Sequence, residues 1–207
     1  MQKPCRRQRL SFRPTRLAPI LGLTLALALA APLADAQGQA PAPAPAPGHS
    51  LTLTSPQFEH NGPIPKIHTC EGQDLSPPLA WSGVPAGTQG LVLLVEDPDV
   101  PDPAKPVRTW IHWVIYNLPP TSTGLPEGAG KGQLPAGAQG GITDFRRRDY
   151  GGPCPPIGRH RYIHSLFALD VALPELKRPT KAEIVKAMAG HILDSTDLIG
   201  TYQKEGK

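Results

Sequence analysis

The amino-acid sequence predicts a mostly β domain with one helix near its C-terminus. Three observations support this fold class. Short apolar or alternating stretches recur along the chain, and turn residues bound each of them. The 27 prolines and 21 glycines follow no collagen-like period, so they are interpreted as turn and loop residues. Only one stretch, close to the C-terminus, repeats apolar residues at helical spacing.

Residues 1–36 are predicted to be a cleaved signal peptide. Six basic side chains and no acidic one precede an apolar run at residues 17–33, and the small-residue pattern Ala-Asp-Ala ends at Ala36. The uninterrupted apolar part is shorter than the roughly 20 residues that span a bilayer. We therefore expect cleavage near Ala36, a periplasmic or secreted protein, and no stable membrane anchor after cleavage.

The next segment, residues 37–50, is predicted to be a linker. It repeats proline and alanine without apolar periodicity, which is typical of an extended, semi-rigid spacer. The folded domain is then predicted over residues 51–207.

Removing the signal peptide changes the charge of the protein. The whole chain has 21 basic and 17 acidic residues, and the chain without residues 1–36 has 15 and 16. The mature protein therefore lacks the basic surface that nucleic-acid binding requires. The arginine run at 146–148 is interpreted as a solvated loop.

Five stretches of the domain have the pattern of strands, at residues 51–54, 90–96, 108–118, 159–172 and 195–202. Strict alternation in the third stretch places Trp110, His112, Val114 and Tyr116 on one face. The helix is predicted over residues 180–192, where Thr180 and a glutamate three residues later form a capping box.

Two cysteines, Cys70 and Cys154, remain after the signal peptide is removed. Cysteines in an oxidising compartment often pair, so a disulfide between them is expected. Two free buried thiols are the alternative.

Two polar clusters lie in or beside the predicted strands. Asp97 and Asp99 follow an apolar stretch, where aspartates most often cap a turn. His112 lies among aromatic residues within a strand, where a structural core histidine is the commoner role. Each cluster alone is a weak indication of a functional site.

A third cluster combines a loop and a strand. The loop at residues 150–158 is rich in glycine and proline, and alternation in the following strand puts His160, Tyr162 and His164 on one face. Imidazole, phenol and backbone N–H donors suit an anion of phosphate size.

Taken in order, these motifs resemble the phosphatidylethanolamine-binding protein family, and most closely its bacterial Raf-kinase-inhibitor-like branch. They are D-P-D-x-P at 97–101, W-x-H-W at 110–113, the Gly-Pro loop, and G-x-H-R-Y at 158–162. Stretches at 74–81, 143–145 and 167–170 agree with the same family. The resemblance covers about residues 51 to 202.

The resemblance implies a β-sandwich of two antiparallel sheets with a few peripheral helices. It also implies a pocket for a small anion or a phosphorylated head-group, with no cofactor and no metal. In the implied roles, His112 and His160 donate to the anion, the Tyr162 hydroxyl orients it, and Asp97 holds an imidazole in place. The full set of implied ligand-binding residues is Asp97, Asp99, His112, Pro156, His160 and Tyr162.

Two functions from different classes follow from these residues. The first is a non-catalytic protein that binds a small anionic or phosphorylated ligand, either alone or as an inhibitor or regulator of another enzyme whose identity the sequence does not reveal. The second is a metal-dependent hydrolase or lyase, in which Asp97, His112, His160 and His164 hold zinc with one position open for water. His164 keeps this alternative open because the family usually has an aromatic residue there.

Overall fold

The computed structural model describes residues 50–205. The predicted signal peptide and nearly all of the predicted linker lie outside the described residues. No helix within residues 50–205 is long and apolar enough to cross a membrane.

The described chain contains eight strands, one α-helix and two short 3-10 helices. The strands are β1 (Thr52–Thr54), β2 (Leu79–Ser82), β3 (Gly90–Val100), β4 (Arg108–Leu118), β5 (Gly124–Leu125), β6 (Gln139–Gly140), β7 (His160–Leu169) and β8 (Ile192–Tyr202). The α-helix, α1, covers Lys181–Met188, and the 3-10 helices cover Lys66–His68 and Ala129–Lys131.

Two antiparallel sheets form the domain. The larger has the strand order β6-β4-β3-β7-β8, and the smaller has the order β1-β2-β5. The mostly β fold with two antiparallel sheets and a helix near the C-terminus is therefore confirmed.

The central strand β3 explains how the layers pack. Leu91, Leu93 and Val95 join side chains of the small sheet in one core, whereas Val92 and Leu94 join those of α1 in a second core. Because both faces of β3 are covered, its sequence is continuously apolar instead of alternating.

Helix α1 begins where the sequence predicts and ends earlier. Thr180 and Glu183 form the expected capping box. The predicted end at residue 192 is wrong, because Gly190 has a φ of +83° and Ile192 already begins β8. Glycine adopts this left-handed backbone at little cost, which allows the chain to turn immediately after the helix.

The predicted faces of β4 are also wrong at one end. Val95 of β3 pairs with Trp113, but the next residue, Glu96, pairs with Ile111. His112 is therefore the extra residue of a β-bulge. The bulge reverses the alternation, so that Trp113 packs in the core beside the small sheet while Ile111 packs in the core beside α1.

Candidate functional site

A pocket of about 240 Å³ opens beside the ends of β3 and β4. Its lining combines two buried polar side chains with apolar and aromatic walls. The lining residues are Asp97, Val100, Trp110, His112, Phe145, Cys154, Pro155 and Pro156.

Asp97 forms the acidic part of the pocket and is 3% exposed. Its Oδ2 atom lies 2.7 Å from Nδ1 of His160, and its Oδ1 accepts a hydrogen bond of 2.9 Å from the backbone N–H of Asp99. The expectation that the apolar strand ends before Asp97 is wrong, since β3 continues to Val100.

His160 lies behind Asp97 and has oxygen atoms next to both ring nitrogens. Nδ1 faces the Asp97 carboxylate, and Nε2 lies 3.0 Å from the carbonyl oxygen of Ile157. Each ring nitrogen therefore faces an oxygen atom, so His160 links Asp97 to the loop and has no ring nitrogen left for a ligand.

Asp99 does not join the pocket lining. Its carboxylate accepts from Nη2 and Nε of Arg161 at 2.7 and 3.0 Å, and from the backbone N–H of Arg161 at 2.8 Å. These bonds hold the pKa of Asp99 below its usual value. Because β3 has an extra residue between Asp97 and Val100, the two carboxylates reach neighbouring residues of β7, which face opposite sides of the sheet.

His112 is the basic group of the pocket. Its Nδ1 atom donates a hydrogen bond of 2.5 Å to the carbonyl of Gly151, and the N–H of Gly151 donates to the His112 carbonyl at 3.1 Å. Burial lowers the pKa of His112. The neutral ring therefore carries its proton on Nδ1, and Nε2 is an acceptor for a ligand.

The loop at residues 150–156 fits closely against its surroundings. A Cβ atom on Gly151 would overlap the ring of Phe145, and one on Gly152 would overlap the carbonyl of His68. The N–H of Gly152 donates to Oδ1 of Asp74 at 2.6 Å. Both positions therefore require glycine.

Arg147 joins three parts of this region. Its Nη2 atom donates to Oδ2 of Asp74 at 3.1 Å and to the carbonyl of Tyr150 at 2.9 Å. Its guanidinium lies 5.3 Å from the ring centre of Phe145. Arg146, Arg147 and Arg148 are all exposed, which agrees with the interpretation of the arginine run as a solvated loop, and Arg147 also binds one side of the pocket loop.

The two aromatic walls of the pocket, Trp110 and Phe145, also contact each other, and each contacts an arginine. The rings of Trp110 and Phe145 meet edge to face, with centres 5.5 Å apart. Arg108 lies over the Trp110 ring at 4.8 Å and pairs with Asp144 at 2.6 Å. An arginine that is fixed by a carboxylate thus contacts each aromatic wall.

The expected disulfide is confirmed. Cys70 and Cys154 are bonded, and the N–H of Cys70 donates to the carbonyl of Pro153 at 3.1 Å. The bond attaches the Cys154 end of the loop to the segment that follows the first 3-10 helix.

Tyr162 and His164 lie deeper than the pocket. Tyr162 contacts the His112 ring edge to face at 5.2 Å, and His164 contacts Phe58 at 5.6 Å. Within the described part of the chain, neither the Tyr162 hydroxyl nor Nε2 of His164 has a hydrogen bond of normal geometry. Burial, with the nearby charge of Asp97, raises the pKa of Tyr162, and burial lowers the pKa of His164 to about 4.

The structure therefore brings Asp97, His112 and Pro156 to the pocket, with His160 and Tyr162 directly behind it and Asp99 turned away. Sequence reasoning did not single out Phe145 as a pocket wall, although it lies in one of the stretches that agree with the family. In residues 50–205, no three or more His, Cys, Asp or Glu side chains are grouped so that they could hold a metal ion.

The described residues thus form a two-sheet β domain with a pocket, lined by apolar walls and two polar side chains, beside the end of the larger sheet, and clefts of this composition are common sites for small molecules. The family model described as phosphatidylethanolamine-binding protein matches residues 54–203. The chain belongs to the phosphatidylethanolamine-binding protein family.

Relatives with similar sequences support this assignment. The chain is 46% identical over 154 residues to a UPF0098 protein of Chlamydia pneumoniae, covering 74% of this chain and 99% of the relative. A UPF0098 protein of Methanothermobacter thermautotrophicus is 43% identical over 155 residues, with coverage of 74% and 99%. The matching region makes up almost the whole length of both relatives.

Solved structures agree in fold. A phosphatidylethanolamine-binding protein homologue of Chlamydia trachomatis has a TM-score of 0.70 and 42% identity, covering 76% of this chain and all of that one. YbcL of E. coli, described as a member of the mammalian family, has a TM-score of 0.68 and 30% identity, with coverage of 75% and 99%.

Proposed function

We propose that the chain is a periplasmic or secreted binding protein that captures a small anion or a phosphorylated head-group in the pocket of Asp97 and His112. The basic, apolar and small-residue pattern of residues 1–36 and the Cys70–Cys154 disulfide support the location. Regulation of another enzyme would follow from the same capture if the phosphorylated group belonged to that enzyme.

The proposal rests on which hydrogen-bond donors and acceptors the pocket presents to a ligand. Neutral His112 presents an acceptor, and the Asp97 carboxylate is next to it. A fully deprotonated anion such as sulfate meets no matching donor on these two groups. Phosphate at neutral pH carries a P–OH hydrogen as well as charged oxygens, so it can donate to either group. Nδ1 of His160 lies 2.7 Å from the Asp97 carboxylate, and an N–H at this position offsets part of the negative charge that would otherwise repel the anion.

The position of His112 also sets the expected pH dependence. The pKa of His112 is lowered, so the ring is neutral at pH 7 and becomes a cation only as the pH falls through that lowered value. The cation donates from both nitrogens and attracts anions. Affinity for sulfate should therefore increase at acidic pH, and a bound anion should raise the pKa of His112 in the complex.

The test is a titration of residues 37–207 with inorganic phosphate, phosphoethanolamine and sulfate, observed by backbone amide NMR at pH 7. We expect shifts at His112, Gly151 and Gly158 with inorganic phosphate and much weaker shifts with sulfate. Phosphoethanolamine is mostly a dianion without a P–OH hydrogen at pH 7, so any shifts that it causes depend on its ammonium group as the donor. Shifts confined to other surfaces, or none, would refute the pocket as an anion site.

Two variants separate the contributions of the polar groups. His112→Phe should weaken phosphate binding about tenfold, the usual effect of losing one hydrogen bond to a charged group. Asp97→Asn should reduce the ratio of phosphate affinity to sulfate affinity, because it removes the negative charge that repels the sulfate dianion. His191→Gln is the matched control for losing a histidine, since His191 is exposed and pairs only with Asp170 among the described residues.

A further inference from the structure

The disulfide is itself part of the pocket. Cys154 lines the pocket together with Pro155 and Pro156, which follow it directly. Both Cys70 and Cys154 are exposed, so a reductant in solution can reach the bond.

Hydrogen bonds hold the loop firmly before Cys154. Gly151 exchanges two hydrogen bonds with His112, Gly152 donates to Asp74, and the carbonyl of Pro153 accepts from Cys70. Each residue from 151 to 153 is thus held by a backbone hydrogen bond that does not require the disulfide.

The same loop has few anchors after Cys154. Pro155 and Pro156 have no backbone N–H and cannot donate a hydrogen bond. The next hydrogen bond along the chain joins the carbonyl of Ile157 to His160. Between Pro153 and Ile157, the disulfide and the packing of the buried Pro155 are therefore the attachments of the pocket wall, and the disulfide is the covalent one.

The partner cysteine belongs to a well-anchored segment. The neighbouring Thr69 donates to the carbonyl of Lys66 through its hydroxyl at 2.8 Å. Glu71, on the other side of Cys70, accepts a hydrogen bond of 2.5 Å from the hydroxyl of Tyr202. The disulfide thus links a weakly anchored wall to a segment that is attached to β8.

We propose that the Cys70–Cys154 disulfide is a redox-sensitive element of the ligand pocket, and that its reduction weakens ligand binding. A dithiol supplies two electrons and two protons, the S–S bond breaks, two cysteine thiols form, and the reductant leaves as its own disulfide. The wall of Pro155 and Pro156 then loses its covalent attachment while the loop before it stays in place.

Coupling of this kind works in both directions. If reduction lowers the affinity for a ligand by a given factor, the bound ligand must oppose reduction by the same factor. A saturating ligand should therefore protect the disulfide against a dithiol. The effect on affinity rests on the proposed function, whereas the loosening of the wall does not.

The first measurement needs no ligand. Backbone ¹⁵N relaxation is measured in residues 37–207 before and after reduction with dithiothreitol, with the thiols confirmed by alkylation and mass spectrometry. We expect lower order parameters at Ile157 and Gly158 and unchanged order parameters at Gly151 and Gly152. Equal order parameters in both forms, or loss of structure throughout the domain, would overturn the proposal.

The second measurement is a titration of both forms with inorganic phosphate. Reduction should weaken binding about tenfold, within the usual range of coupling between sites, and saturating phosphate should slow and oppose reduction. The variant carrying Cys70→Ser and Cys154→Ser should bind phosphate as the reduced protein does and should not respond to dithiothreitol. Equal affinity of the two forms would overturn the effect on binding.

The two measurements keep the proposals separate. If the oxidised protein fails to bind phosphate, the proposed function is refuted, and the order parameters alone decide whether the disulfide holds the wall. If the oxidised protein binds phosphate, and neither the order parameters nor the affinity changes on reduction, only the inference about the disulfide is refuted.

Discussion

Replacement of His164 by phenylalanine should make the domain resistant to mild acid. His164 is 1% exposed, and its ring contacts Phe58. Its Nδ1 atom lies 3.2 Å from the carbonyl of Tyr162, and Nε2 makes no hydrogen bond of normal geometry within residues 50–205. A proton added to this buried ring would place a positive charge where solvent access is minimal, which is energetically unfavourable.

The magnitude follows from the difference between two pKa values. Burial lowers the pKa of His164 to about 4, from an ordinary value of 6.5 in the unfolded chain. As the pH falls below 6.5, the unfolded chain takes up a proton that the folded chain excludes, so the folded state loses stability until the pH approaches 4. Between pH 7 and pH 5, His164 alone should lower the free energy of unfolding by about 2 kcal/mol.

The assay is urea unfolding followed by tryptophan fluorescence at pH 7 and pH 5. His68 and His112 also have lowered pKa values and contribute in the same direction, so the comparison with His164→Phe isolates one residue. The same substitution at the exposed His60 controls for an added phenylalanine. If wild type and His164→Phe lose equal stability between the two pH values with equal m-values, the reasoning is refuted.

Three further substitutions test the local structure. Thr180→Ala should lower the free energy of unfolding by about 1 kcal/mol in thermal or urea unfolding, because it removes the side-chain half of the capping box with Glu183. Gly151→Ala should abolish phosphate binding in the NMR titration even where the domain folds, because its Cβ atom would overlap Phe145 and displace a pocket wall. Arg147→Lys should weaken phosphate binding several-fold with little change in melting temperature, because lysine keeps the charge but loses the planar group that joins two acceptors.

The sequence predicts the elements that depend on local patterns. The strand at Arg108–Leu118 has the predicted bounds, and the helix starts after Thr180 because the capping box is a local signal. The small strands β2, β5 and β6 were not predicted. They contain four, two and two residues, which is too short for apolar periodicity to distinguish them from loops.

The errors at the site have a common physical cause. Alternation assumes that each strand residue opposes one partner, but extra residues at His112 and between Asp97 and Val100 break this rule. One bulge brings His112 to the pocket, and the other turns Asp99 to Arg161. A bulge depends on how two strands pair across the sheet, so the sequence of either strand alone does not reveal it.

The two motif histidines have different surroundings, and the proposed function gives them different roles. Nδ1 of His160 faces Asp97 and Nε2 faces the Ile157 carbonyl, so this ring links the acidic group of the pocket to the end of the pocket wall. Nδ1 of His112 donates to the Gly151 carbonyl, which leaves Nε2 for the proposed ligand. Under the proposed function, one histidine therefore supports the carboxylate, and the other contacts the ligand.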